Sequence, residues 1–185
     1  MKKYEKAIVA TNGSIKDFGL VRQHIDARGY SQDDLIISAD GGAKNSLELK
    51  LIPDLVIGDM DSISQEIKGA IRKLNKNAKF IRESPQKDET DTQLALQTAI
   101  EYQVKKIIIV GAIGDRVDHS FANLVLLSAN FLKDIKVKIL TENNEISTAC
   151  KPIQISGEKG KIISLFSLSP FTYFRKTEGL QYSLK

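Results

Sequence analysis

The sequence predicts an α/β fold, with an N-terminal doubly wound, mostly parallel sheet and a smaller C-terminal all-β part. Three observations predict it. Short apolar runs alternate with amphipathic stretches of helical length across polar connections, the pattern of strands and crossover helices. Lys106-Ile107-Ile108-Ile109-Val110 is continuously apolar after its lysine, as a strand buried on both faces requires. After Lys133 no helical period remains, and short β-like runs separated by turn residues take over.

Taken in order, Lys6 to Thr11 reads as the first strand and Asn12-Gly13-Ser14 as the turn into a helix over about Asp17 to Arg28. Leu35 to Ala39 is a second strand, ending in Asp40-Gly41-Gly42. A helix over Ala43 to Leu51 follows and is closed off by Pro53. Asp54 to Ile57 is the third strand, and Ser62-Ile63-Ser64-Gln65 has the form of a capping box for a helix reaching about Asn75. Lys79 to Ile81 is a short fourth strand. Thr90-Asp91-Thr92-Gln93 is a second capping box, opening a helix with Leu94, Ala95 and Ile100 on its apolar stripe. The fifth strand is Lys106 to Val110, followed by a loop over Gly111 to His119 and an apolar helix over Phe121 to Leu132. Beyond it, Ile135 to Leu140, Glu145 to Ala149, Ile153 to Ile155, Lys161 to Leu168, Thr172 to Arg175 and Leu180 to Leu184 are β-like. The expected division is a Rossmann-like α/β part over 1–140 and a small all-β part over 141–185.

Composition excludes several classes. With 185 residues, 42% of them apolar and 27% charged, the chain is an ordinary globular one. The net charge of +4 suits an anionic small molecule, and no Lys/Arg block interleaved with aromatics supports a nucleic-acid groove. A single cysteine, Cys150, forms no internal disulfide and is expected to be an inert, half-buried thiol. The apolar run after Met1 to Lys6 is too short for a signal peptide, and none approaches membrane-spanning length. A cytoplasmic protein without membrane partners is expected.

Ligands of open α/β sheets bind outside the carboxyl ends of the strands, and each acidic cluster falls at that edge. Asp40 follows strand two, Asp59 and Asp61 strand three, Asp88 and Asp91 strand four, Asp115 and Asp118 strand five. In an extended or gently turning backbone Asp59 and Asp61, two residues apart, point to one side. Like charges that close need a cation between them or a proton on one of them, and oxygen-only ligands suit Mg²⁺ with substrate phosphates. The plainer reading is that Asp59 caps a turn and Asp61 the next helix. Asp88 and Asp91 either complete the cation site or complement a helix dipole. Gly41 and Gly42 either let backbone approach an anion at the helix start or merely form a tight turn. Arg116 offers a planar fork for phosphate, His119 is a candidate base or a cap, and Lys87 either reaches a phosphate or is solvated. No dinucleotide or P-loop signature is present. These residues together imply a Mg²⁺-dependent enzyme handling a phosphorylated nucleotide by phosphoryl or pyrophosphoryl transfer.

The ordered set Ala39-Asp40-Gly41-Gly42-Ala43, Gly58-Asp59-Met60-Asp61-Ser62, Asp88-Glu89-Thr90-Asp91 and Gly111 to His119, with Asn123, resembles the thiamin pyrophosphokinase family over nearly the whole chain. The resemblance implies transfer of the pyrophosphoryl group of Mg·ATP to the hydroxyethyl arm of thiamin, giving thiamin diphosphate and AMP. It implies that Asp59, Asp61 and Asp91 bind Mg²⁺, with Asp88 beside them as part of the catalytic set. Asp40, Gly41, Gly42, Thr92, Arg116, Asp118, His119 and Asn123 would line the nucleotide and thiamin cleft, and a homodimer would share its clefts between subunits. Two departures stand out: Lys44 replaces the family's usual asparagine, and the family's β domain continues past the stretch resembling Gly179 to Leu184. Residues 141–185 are therefore expected to form a β-sandwich, thiamin-binding domain that is short at its C-terminus. Two other readings follow: a related Mg·ATP diphosphokinase acting on another alcohol such as a hydroxymethylpterin, or a nucleotide- or thiamin-binding protein without turnover.

Overall fold

The computed structural model describes residues 3–84, 86–149, 151–155, 157, 159–174 and 176–182. Seven strands build one sheet in the order β4-β3-β2-β1-β5-β6-β7. They are β1 (Lys6–Ala10), β2 (Leu35–Ala39), β3 (Leu55–Gly58), β4 (Lys79–Arg82), β5 (Lys106–Val110), β6 (Lys136–Leu140) and β7 (Glu145–Ile146). The first six run parallel, and β7 turns back antiparallel on β6.

Strand alternation distributes the core over both faces. Ala7, Val9, Ile37, Ile57, Ile107 and Ile109 pack with Ala95, Leu96 and Ala99 of α4 (Asp91–Glu101). Their neighbours Ile8, Ala10, Ile36, Ile108 and Val110 pack with Val21 and Ile25 of α1 (Phe18–Ala27) on the opposite face. Val56 extends that second layer toward Ala43 of α2 (Gly42–Glu48) and Ile71 of α3 (Gln65–Leu74). Burial on both faces explains why the central strands read as unbroken apolar runs.

Helix starts are set by side-chain caps. Asp17 accepts from the Leu20 N–H at 2.8 Å, and Thr90 accepts from the Gln93 N–H at 3.2 Å, as its capping box predicts. The earlier box is displaced: Ser64, not Ser62, caps α3 by accepting from Ile67 N–H, and Ser62 is turned to other work. The last helix also differs from expectation. α5 spans Val117–Leu126 and stops, with a 3₁₀ turn at Asn130–Leu132. The Ser128 hydroxyl bonds back to the Val125 carbonyl at 2.7 Å, competing with helical continuation where the apolar pattern marks no break.

Residues 151–185 form a separate unit. Its described residues carry no strand or helix. Glu145–Ile146, expected in the all-β part, instead extends the main sheet. Cys150 and the end of the Leu180 to Leu184 run lie outside the described residues. Among the described residues no helix is long and apolar enough to cross a membrane.

Candidate active site at the carboxyl edge

The site is assembled over Gly58, the last residue of β3. Its φ is 153°, and a Cβ there would lie 2.7 Å from Asp40 Cβ and 3.2 Å from Asp91 Cγ. Only a residue without a side chain lets the ends of β2 and β3 and the start of α4 meet so closely. Asp40 leaves β2 in the left-handed region, at φ 42°. The residue is 7% exposed, and its Oδ1 is fully buried without a hydrogen-bond partner among the described residues. Burial pushes the Asp40 carboxyl above its ordinary value. The Ser62 hydroxyl and the Gly41 N–H oppose that rise, while the Asp91 and Asp59 charges add to it.

Asp59 and Asp61 do converge, but not because the backbone is extended. Met60 between them has φ 67°, and the Asp61 N–H donates to Asp59 Oδ1 at 3.1 Å in a tight local turn. Ser62 donates to Asp61 Oδ1 at 2.8 Å. One oxygen from each of Asp40, Asp59 and Asp61 lies within 4.8 Å of the other two. Three carboxylates at that spacing, one carrying an orphaned buried oxygen, fit a hard divalent cation. Asp91 adjoins the group through Gly58, and its Oδ1 is held by Lys87 Nζ at 2.6 Å. Lys87 is therefore an internal counter-ion, a role its loop position did not reveal. Asp88 is exposed and stands outside the group of three, and Thr92 is buried in the first turn of α4.

The glycine pair after Asp40 makes its close approach to protein. A Cβ on Gly42 would sit 2.2 Å from the Ala10 carbonyl oxygen, and one on Gly41 2.5 Å from the Asn12 side chain. Asn45, missed in the sequence, is buried and donates to the Thr11 and Gly13 carbonyls at 2.7 and 2.9 Å. Its partners come from tertiary packing, so residue type gives no signal for it.

At β1 the chain order of the sheet reverses, and the loops after β1 and β5 close over each other there. Gly13 N–H donates to the Gly111 carbonyl at 2.7 Å, and Ser14 donates to Asp115 at 3.3 Å. On the exposed start of α5, Arg116 pairs with Asp118 at 2.6 Å, and His119 Nε2 lies 3.8 Å from the same carboxylate. The Arg116 hydrogen bond, above all, holds the Asp118 carboxyl below its ordinary value. Asn123 is buried and spends its amide N–H on the Ala112 carbonyl at 2.8 Å, bracing the loop from within. The structure thus gathers Asp40, Asp59, Asp61 and Asp91 at one place, and Arg116, Asp118 and His119 at another loop of the same edge.

Fold and site define a doubly wound α/β protein with a carboxylate group at its strand ends that fits a cation. Residues 28–139 match the family described as thiamin pyrophosphokinase, catalytic domain. The chain is 32% identical over 149 residues to a thiamine pyrophosphokinase of Bacillus subtilis (strain 168), covering 80% of this chain and 68% of that protein. Among solved structures, a Bacillus subtilis thiamine pyrophosphokinase matches with TM-score 0.63 at 27% identity, over 77% of this chain and 63% of that one. A thiamin pyrophosphokinase family protein from Enterococcus faecalis matches with TM-score 0.62 at 29% identity, over 76% and 63%. The chain belongs to the thiamin pyrophosphokinase family, and it spans less than two thirds of the length of those two solved chains.

Proposed function

We propose that the protein is a thiamin diphosphokinase, moving the pyrophosphoryl group of Mg·ATP onto the hydroxyethyl hydroxyl of thiamin. The thiamin oxygen bonds to the β-phosphorus, the bond from that phosphorus to the α,β-bridging oxygen breaks, AMP leaves and the hydroxyl proton is released. The observation carrying this reading is the carboxylate group of Asp40, Asp59 and Asp61, within 4.8 Å and inside the family-matched residues.

In this reading Asp59 and Asp61 hold Mg²⁺, with Asp40 supplying the buried oxygen and Asp91 the neighbouring charge. The ion when bound neutralises phosphate charge. Lys87 keeps Asp91 aimed at the group, and Asp88 lies on the approach to it. Arg116 meets phosphate with its fork, Asp118 orients that fork, and His119 lines the cleft beside them. Gly41, Gly42, Thr92 and Asn123 shape the walls by packing. Catalysis then rests on positioning and charge, with no covalent nucleophile. The reading extends to a cytoplasmic homodimer with shared clefts, and to the unit of residues 151–185 as β-sandwich and thiamin-binding part.

Incubation with ATP, Mg²⁺ and thiamin, followed by product identification, tests it. Thiamin diphosphate and AMP in equal amounts are expected, and excess EDTA abolishes both. AMP release with a different alcohol but none with thiamin would reassign the acceptor.

A further inference from the structure

A cavity of about 390 Å³ opens beside the carboxylate group, lined by Asp59, Met60, Asp61, Gln65, Lys68, Arg72, Phe80 and Arg82. Lys68 and Arg72 stand four apart on α3 and so face the same way. Arg82 ends β4 and is in register with Gly58, the residue before Asp59. One wall is therefore anionic and the other carries three cations. The Arg72 guanidinium carbon lies 5.0 Å from the Phe80 ring centroid, a cation–π contact that holds it at the cavity wall. Lys68 makes only a 3.4 Å contact to the Met60 carbonyl. Among the described residues, neither arginine nor the lysine has a carboxylate within ion-pair distance.

Opposite charges that share a cavity without pairing leave both sets available to a ligand. Such a ligand must itself carry a cation toward Asp59 and Asp61 and several negative charges toward the basic wall. A polyphosphate chain chelating a divalent ion has that make-up, and arginine forks match phosphate oxygens two at a time. Resting on the function proposed above, we propose that Lys68, Arg72 and Arg82 form an anion subsite for the β- and γ-phosphates. That would make them positioning residues for the very group that is transferred.

The test is calorimetry on the full chain with Mg·ATP, AMP and tripolyphosphate, the last both with Mg²⁺ and in EDTA. Arg72→Ala and Arg82→Ala are both at exposed positions, and thermal melts establish that each variant is folded. Each is expected to weaken Mg·ATP about tenfold, the scale of a lost hydrogen bond to a charged group. AMP should bind within about twofold of wild type, since its single phosphate lies outside the subsite. Tripolyphosphate in EDTA should bind wild type measurably and the double variant not at all. Arg72→Lys, which keeps the charge but loses the fork, should fall between.

Unchanged Mg·ATP and tripolyphosphate binding in the double variant would overturn the subsite. Equal weakening of AMP would also overturn it, by moving the arginines to the nucleoside half. These outcomes are separable from failure of the function itself. A wild-type chain that makes no thiamin diphosphate, yet binds tripolyphosphate through Arg72 and Arg82, would keep the subsite and discard the acceptor.

Discussion

Gly58→Ala is the perturbation that most directly probes how the site is held. The added carbon would sit 2.7 Å from Asp40 Cβ and 3.2 Å from Asp40 Cα. Unbonded carbons rest about 3.5–4.0 Å apart, so the overlap is about 1 Å. Neither partner can swing aside, because both atoms are fixed by the Asp40 backbone at the end of β2. Overpacking of this kind costs about 1–3 kcal/mol. An L residue held at φ 153° adds roughly 1 kcal/mol. A total of about 2–4 kcal/mol lowers the melting temperature of a domain this size by about 4–16 °C.

The same displacement separates Asp40 from Asp59 and crowds Asp91, whose Cγ is 3.2 Å from the new methyl. Misplacing a site group by about 1 Å is enough to cost about a hundredfold in rate. Thermal melts in EDTA read the first effect, and calorimetry with Mg·ATP reads the second. Gly69→Ala is the matched control. Gly69 lies inside α3 with nothing within 4 Å of its would-be Cβ, so the change should stabilise by about 0.5–1 kcal/mol and leave ligand binding alone. A Gly58→Ala protein that melts with wild type and binds Mg·ATP equally would refute the account of the site as a glycine-floored meeting of three segments.

Three further outcomes are expected. Asp40→Asn removes a buried unpaired charge from among like charges, so the EDTA-treated protein should melt higher while Mg²⁺-dependent ATP binding falls; a lower melt would count against the repulsion described here. Thr90→Ala deletes the α4 cap and should cost about 1 kcal/mol in urea unfolding. Glu145 of β7 is bonded by Arg28 at 2.6 Å and by Lys138, and these outweigh burial to hold its carboxyl below the ordinary 4.5. A depressed carboxyl stabilises the fold fully above its ordinary value and loses that contribution as pH falls through the folded one. Glu145→Gln should therefore cost about 1 kcal/mol at neutral pH, a cost that shrinks as pH falls below the ordinary carboxyl value, measured by urea melts across that range.

Legibility followed burial. The β2 strand, Leu35–Ala39, could be read to the residue because both faces are covered and every position must be apolar or small. The end of α5 could not, because the apolar run continues to Leu132 and only the Ser128 back-bond interrupts it. The placing of acidic clusters at the carboxyl edge was legible from chain order alone, since strand ends in a parallel sheet all face one way. The meeting of Asp59 with Asp61 was legible from their spacing, but the third oxygen, from Asp40, was not. That depends on the turn at Met60 and on the Asp40 backbone, neither of which leaves a mark in residue type. Asn45 and Lys87 were equally hidden, because their partners are a carbonyl pair and a carboxylate supplied by tertiary packing.

Backbone strain locates the site independently of its carboxylates. Among the described residues, four that are not glycine have clearly positive φ: Asp40, Lys50, Met60 and Gln103. Lys50 and Gln103 each come directly after the C-cap of a helix, Leu49 of α2 and Tyr102 of α4, where a left-handed residue is the usual way to stop. Asp40 and Met60 end no helix. They follow β2 and β3 at one rim, beside Gly58 and the orphaned Asp40 oxygen. Departures from local preference persist where surrounding structure enforces them, and they concentrate where a fold does chemistry. Had the carboxylates met by chance of composition, nothing would require the backbone beneath them to be strained as well. Asp40 belongs to the acidic group and Met60 lies between its other two members, so the convergence is built into the backbone beneath it.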